Sequence, residues 1–97
     1  MSQNYKFTAK DFYALLESQT YICPLTGREL TPSTTRAELI IPKERGGVSA
    51  FENIYLVDKD VAKIKRSMLE AEIVELAADI LKTMGKKHGY SVRRFRK

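Results

Sequence analysis

The chain reads as a small α+β domain, with an N-terminal helix, two short strands and a long helical stretch toward the C-terminal end. Three observations predict this. Apolar residues recur at three- and four-residue steps between residues 61 and 84. Two short β-branched runs, residues 38–41 and 53–57, flank a charged loop containing Gly46 and Gly47. A capped amphipathic segment opens the chain. At 97 residues this is one domain, near the lower end of sizes that fold without disulfides or metals. Residues 1–85 form its body and residues 86–97 a basic tail.

Each element has a local cause. In "KFTAKDFYALLES", Thr8 stands as an N-cap with Asp11 in the capping-box position, and Phe7 and Phe12 are spaced as a hydrophobic staple. Phe12, Leu15 and Leu16 make the apolar face. In "YICPLTGREL", Pro24 and Gly27 force a turn between two short apolar pieces. Residues 32–37, "PSTTRA", read as a loop leading into a strand over 38–41, which Pro42 stops. In the polar loop that follows, Gly46 and Gly47 permit backbone angles that other residues avoid. The second strand, "NIYLV", folds back antiparallel to the first, and Asp58 or Asp60 caps the next helix. Val61, Ile64, Met68, Leu69, Ile73, Leu76, Ala77, Ile80, Leu81 and Met84 then support one long helix, or two with a break near Ser67. Gly85 is its natural stop, with Lys82 in the last turn favoured by the helix dipole.

An apolar fraction of 43% argues against wholesale disorder. The single cysteine, Cys23, cannot form an internal disulfide, which points to a reducing, cytoplasmic setting. No apolar signal core lies in residues 1–20, and no stretch reaches the ~20 apolar residues of a membrane span, so neither secretion nor insertion is expected. The net charge of +5 is unevenly placed. Lys86, Lys87, Arg93, Arg94, Arg96 and Lys97 crowd the tail without an acid, while residues 1–85 hold 11 basic against 12 acidic groups. A basic arm with interspersed Tyr90 and Phe95 suits phosphate contact plus stacking, and suits a solubilising terminus equally.

The segment "ELIIPKERGGVSAFENIYLVDKDVAKIK" resembles the HNH family, the ββα-metal nucleases, over roughly residues 21 to 68. The family pattern runs Asp-His-Ile-hydrophobic-Pro, a Gly-containing loop, Asn-hydrophobic, and a helix beginning near Asn-x-x-Lys. Glu38 stands at the Asp position, Leu39 at the His, Asn53 at the central Asn, Ala62 at the metal-binding Asn or His, and Lys65 at the Lys. Leu39 and Asn53 are 14 residues apart and Asn53 and Ala62 nine, which suits the family. Upstream, "CPLTGREL" resembles the Cys-x-x-x-Gly opening of many members. The resemblance implies that Asn53 braces the loop through side-chain hydrogen bonds to backbone.

The same alignment empties the chemistry that the family implies. The first His would take a proton from water, worth ~10²–10⁴ in rate, and the carboxylate and the later ligand would hold a divalent ion against the phosphate. Leu39 can neither accept a proton nor bind a metal, and Ala62 offers no ligand atom. Glu38 alone makes a weak site. His88, the only histidine, is a tail residue far along the chain. Relatives with a structural zinc carry paired cysteines, whereas Cys23 has Thr26 at the pair position and reads as a buried small apolar residue. No cofactor or metal is expected.

What the resemblance leaves is a catalytically inactive nucleic-acid-binding protein, of phage or mobile-element type, with DNA ahead of RNA as partner. Arg36, Lys43, Arg45, Lys63, Lys65 and Arg66 surround the former site, and the tail cations extend them. Two alternatives stay open: a regulatory or inhibitory module that binds a protein partner through the long helix, and a metal-dependent endonuclease with a rewired site. The purified protein should leave plasmid and single-stranded substrates uncut in Mg²⁺, Mn²⁺ or Zn²⁺. Turnover that disappears in Glu38→Ala would identify the rewired enzyme.

Overall fold

The computed structural model describes residues 5–95. Three helices, α1 (Ala9–Ser18), α2 (Lys59–Lys65) and α3 (Glu70–Met84), surround two strands, β1 (Thr35–Leu39) and β2 (Ile54–Asp58). Single 3-10 turns lie at Pro32–Thr34, Lys43–Arg45, Phe51–Asn53 and Gly85–His88. The strands pair antiparallel, with Thr35 opposite Asp58 and Leu39 opposite Ile54. This is the expected α+β architecture, with a helix at the N-terminal end and the longest helix near the C-terminal end.

At the start of α1, Thr8 and Asp11 close the capping box at 3.2 Å in both directions, which satisfies two backbone N–H groups that the helix leaves open. Phe7 and Phe12 both pack against the core. Beyond Gln19 the chain reverses through Thr20 (φ +52°) and Tyr21 (φ +62°), and the Ile22 N–H closes the turn on the Gln19 carbonyl at 3.1 Å. Two adjacent left-handed residues with large side chains are uncommon outside glycine and asparagine positions. The turn sets the Gln19 carboxamide beside β2, where it accepts the Leu56 N–H and donates to the Leu56 carbonyl, each at 2.9 Å. The Cys23 sulfur accepts the Asp58 N–H at 3.4 Å. Side chains thus cover the edge of β2 that β1 does not pair.

The bounds of both strands, and the end of the last helix, differ from those read in the sequence. β1 begins at Thr35 and ends at Leu39, so residues 35–37, expected as loop, are strand. β2 runs on to Asp58, and the ladder therefore reaches upstream through Arg36 to Thr35. Arg36 and Ala37 are exposed on this edge strand, and their polarity and small size hid it. Residues 40 and 41 pair with Asn53 instead of a facing strand: its carbonyl accepts the Ile40 N–H, and its side chain holds Ile41. The second difference is at Gly85, which keeps right-handed helical angles and leads into the turn Gly85–His88. The left-handed stop comes at Gly89 (φ +87°). Gly85 is needed for close approach, because a Cβ there would lie 2.9 Å from the Tyr90 carbonyl oxygen.

Asp58 caps α2 by accepting the Asp60 N–H at 3.0 Å. Of the two forms expected for the helical stretch, the broken one occurs. α2 ends at Lys65, Arg66 takes φ +43° and ψ −118°, and the Met68 N–H closes the turn on the Lys65 carbonyl at 2.7 Å.

The core gathers on β2, all five residues of which are buried. Leu16, Cys23, Leu30, Tyr55, Leu56, Val57 and Val61 form one cluster. Gln19→Leu keeps the side-chain volume but leaves both polar groups of Leu56, itself 0% exposed, without partners. At about 1–3 kcal/mol for each buried group so orphaned, the variant should lose roughly 2–4 kcal/mol in urea denaturation, more than an exposed helix-end residue ordinarily carries.

Candidate nucleic-acid interface

The end of β1, the turn Lys43–Arg45 and the end of α2 enclose a groove of about 260 Å³ lined by Glu38, Leu39, Pro42, Lys43, Glu44 and Arg66. Asn53 gives this groove its rigid wall. Its side chain accepts the Ile41 N–H and donates to the carbonyls of Ile41 and Val48, each at 2.9 Å. Gly47 lets the loop close on that brace, since a Cβ there would sit 1.6 Å from the Ile41 oxygen. Asn53 therefore does hold the loop through its side chain, as the resemblance implies.

Within the groove Glu38 and Leu39 are half-buried, and Ala62 packs against the core. Burial raises the Glu38 carboxyl above its ordinary value, although Lys65 and Arg66 pull it down. Among the described residues no cluster of three or more His, Cys, Asp or Glu side chains could hold a metal ion. His88 lies beyond α3 and away from the groove, beside Ile80, Met84 and Tyr90. Cys23 is buried, as expected. Burial alone would raise its thiol, but the Thr26 hydroxyl and the N–H groups of Asp58, Leu25 and Thr26 outweigh it and lower the thiol below its usual value.

The cations divide into those the groove keeps and those the fold consumes. Lys65, expected to meet phosphate, is 0% exposed. Its ammonium donates to the carbonyls of Leu39 (3.1 Å) and Ile40 (3.4 Å) and lies 5.9 Å from the centre of the Tyr55 ring. Its position on the inner face of α2, with Val61 one turn before it, is the reason. Arg45 points away from the groove and grips Glu72 with both guanidinium nitrogens, at 2.7 and 2.8 Å. Neither residue is placed to neutralise a phosphate. Lys43, Lys63 and Arg66 are exposed and make no ion pair among the described residues. Arg36 is exposed on β1, its guanidinium donating to the Thr35 carbonyl at 3.0 Å.

Sequence reasoning missed Lys59. It opens α2, exposed and without an ion pair among the described residues, and shares a helix face with Ala62 and Lys63 at steps of three and four. That period is visible in the sequence, but Lys59 lies outside the motif positions. The tail cations lie elsewhere. Lys86 and Lys87 follow α3, about 20 Å along the helix from Glu72 at 1.5 Å per residue. Arg93 is exposed, and Arg94 reaches Glu75 at 3.4 Å. Arg96 and Lys97 fall outside the described residues.

No helix among the described residues is long and apolar enough to cross a membrane. Comparison with protein-family models returned no match, and no curated protein matches the chain.

The Arg45–Glu72 pair has a pH signature. The Arg45 guanidinium and the Leu69 N–H hold the Glu72 carboxyl down at about 2, against an ordinary value of 4.5. A carboxyl depressed in the folded state stabilises above its unfolded value and loses that contribution as pH falls through its folded value. Glu72→Gln should therefore be less stable than wild type at neutral pH. The two denaturation midpoints should converge as the pH approaches about 2.

Proposed function

We propose that the chain is a non-catalytic nucleic-acid-binding protein on a degenerate HNH-like scaffold, which grips the phosphate backbone of DNA along α2 and the adjoining groove. The exposed cations Lys59, Lys63 and Arg66 carry this reading. Lys59 and Lys63 share one face of α2 with Ala62, and Arg66, just past the helix end, lines the groove together with Lys43. Lys59 and Lys63 flank Ala62, and Arg66 shares the groove with Leu39, the two positions where the family's ligand and base would act on a phosphate. A phosphate can be held there by charge alone, without being cut.

Arg66 adds a second support. Its backbone angles, φ +43° and ψ −118°, are ones that glycine adopts freely and that cost other residues of the order of 1–3 kcal/mol. An arginine at these angles costs stability and places a guanidinium at the end of α2. The three cations come with no paired Asn, Gln or Arg suited to base edges, so little sequence preference is expected.

Fluorescence anisotropy against salt concentration tests the reading. Each phosphate neutralised on duplex DNA contributes about −0.9 to the slope of log affinity against log salt. Replacing Lys59, Lys63 and Arg66 with Gln should flatten that slope by roughly 2–3 units, whereas Arg45→Gln should leave it unchanged. Arg66→Gly should weaken binding while raising stability by about 0.5–2 kcal/mol. Absence of salt-dependent binding to any duplex or single strand would overturn the reading.

A further inference from the structure

α3 is a 15-residue helix without one buried residue. Its Val74, Ile80 and Met84 are 61%, 53% and 47% exposed, and Ile64 on α2 beside it is 55% exposed. A helix of this length is marginal alone, and its apolar stripe ordinarily needs a partner surface. The exposed residues are contiguous. A groove of about 220 Å³ runs between α2 and α3, walled by Leu25, Val61, Ile64, Ile73, Ala77 and Ile80. Met84 continues the same helix face and, with Ile80, borders a second hollow at the end of α3.

We propose that a second copy of this chain covers that face, with the two α3 helices antiparallel about a two-fold axis near Ala77. A two-fold lays the exposed Val74, Ile80 and Met84 of each copy along the apolar face of the other. The surface is self-complementary in charge. Glu72 and Glu75 are engaged by Arg45 and Arg94, and Asp79 lies 3.7 Å from Lys82. That leaves Glu70 at one end of the helix and Lys86 and Lys87 just past the other, with no ion pair among the described residues. Antiparallel packing brings Glu70 to Lys86 and Lys87 of the other copy and opposes the helix dipoles. Parallel packing would set like charge on like.

Sedimentation velocity across the micromolar range tests the proposal, and a reversible monomer–dimer equilibrium is expected. Ile80→Asp should raise the dissociation constant roughly tenfold or more with the circular dichroism unchanged, because Ile80 contributes little to the monomer's core. Glu70→Lys should raise it roughly two- to fivefold, and adding Lys86→Glu and Lys87→Glu to the same chain should restore it. A chain that stays monomeric at every concentration overturns the proposal and leaves the groove to a different protein. A dimer indifferent to Ile80→Asp overturns it too. A dimer that the charge exchange fails to restore overturns the antiparallel arrangement.

Discussion

Everything in this small fold depends on a buried five-residue strand having both of its edges satisfied. β2 has a single strand neighbour, and a buried backbone group without a partner costs as much as a core methylene or more. The second edge is closed by the Gln19 carboxamide on Leu56 and the Cys23 sulfur on Asp58. Those contacts fix where α1 must end and why its exit turn accepts two left-handed residues. They also fix the strand's register, so that Asp58 falls at the N-cap of α2 and Asn53 at the root of the loop. A molecule of this size buries too little apolar surface to tolerate such errors.

The groove inherits its character from this arrangement. With β2 held, α2 lies with Val61 and Lys65 turned inward, and the Lys65 ammonium takes the carbonyls at the end of β1. A lysine in this place is part of the scaffold. It supports the wall on which Glu38 and Leu39 sit, and its charge works against the burial that raises the Glu38 carboxyl. The helix face next to it turns outward and carries Lys59 and Lys63, with Arg66 just past the helix end. One helix thus gives one face to the core and presents cations to solvent on the next.

α3 stands apart from this economy. Its first turn is tied down by the bidentate Arg45–Glu72 pair and by the Glu72 contact to the Leu69 N–H, while its apolar stripe finds little of the domain to pack against. An exposed ion pair contributes little by itself, so this pair orients the helix more than it stabilises it. Orientation is what the apolar face requires, because it leaves the groove and the exposed apolar residues of α3 on one side.

The sequence by itself determined the elements whose causes are local. The capping box at Thr8, the helical period from Val61 onward and an aspartate cap on the helix after the second strand all depend on residues within a few positions of one another, whereas the choice between one helix and two, and between Asp58 and Asp60 as the cap, fell to the fold. The brace that Asn53 makes on the loop was expected only from the resemblance to the HNH pattern. The tertiary structure decided what depends on contacts far apart in the chain. The true start of β1 followed from how far β2 extends, and the role of Gln19 from a contact with Leu56 37 positions away. The fate of each cation was decided in the same way. Lys65, Arg45 and Lys59 are alike as residue types, but burial, a carboxylate 27 positions away and open solvent give them three different tasks. Charge is legible in a sequence, whereas its availability depends on what the fold places beside it.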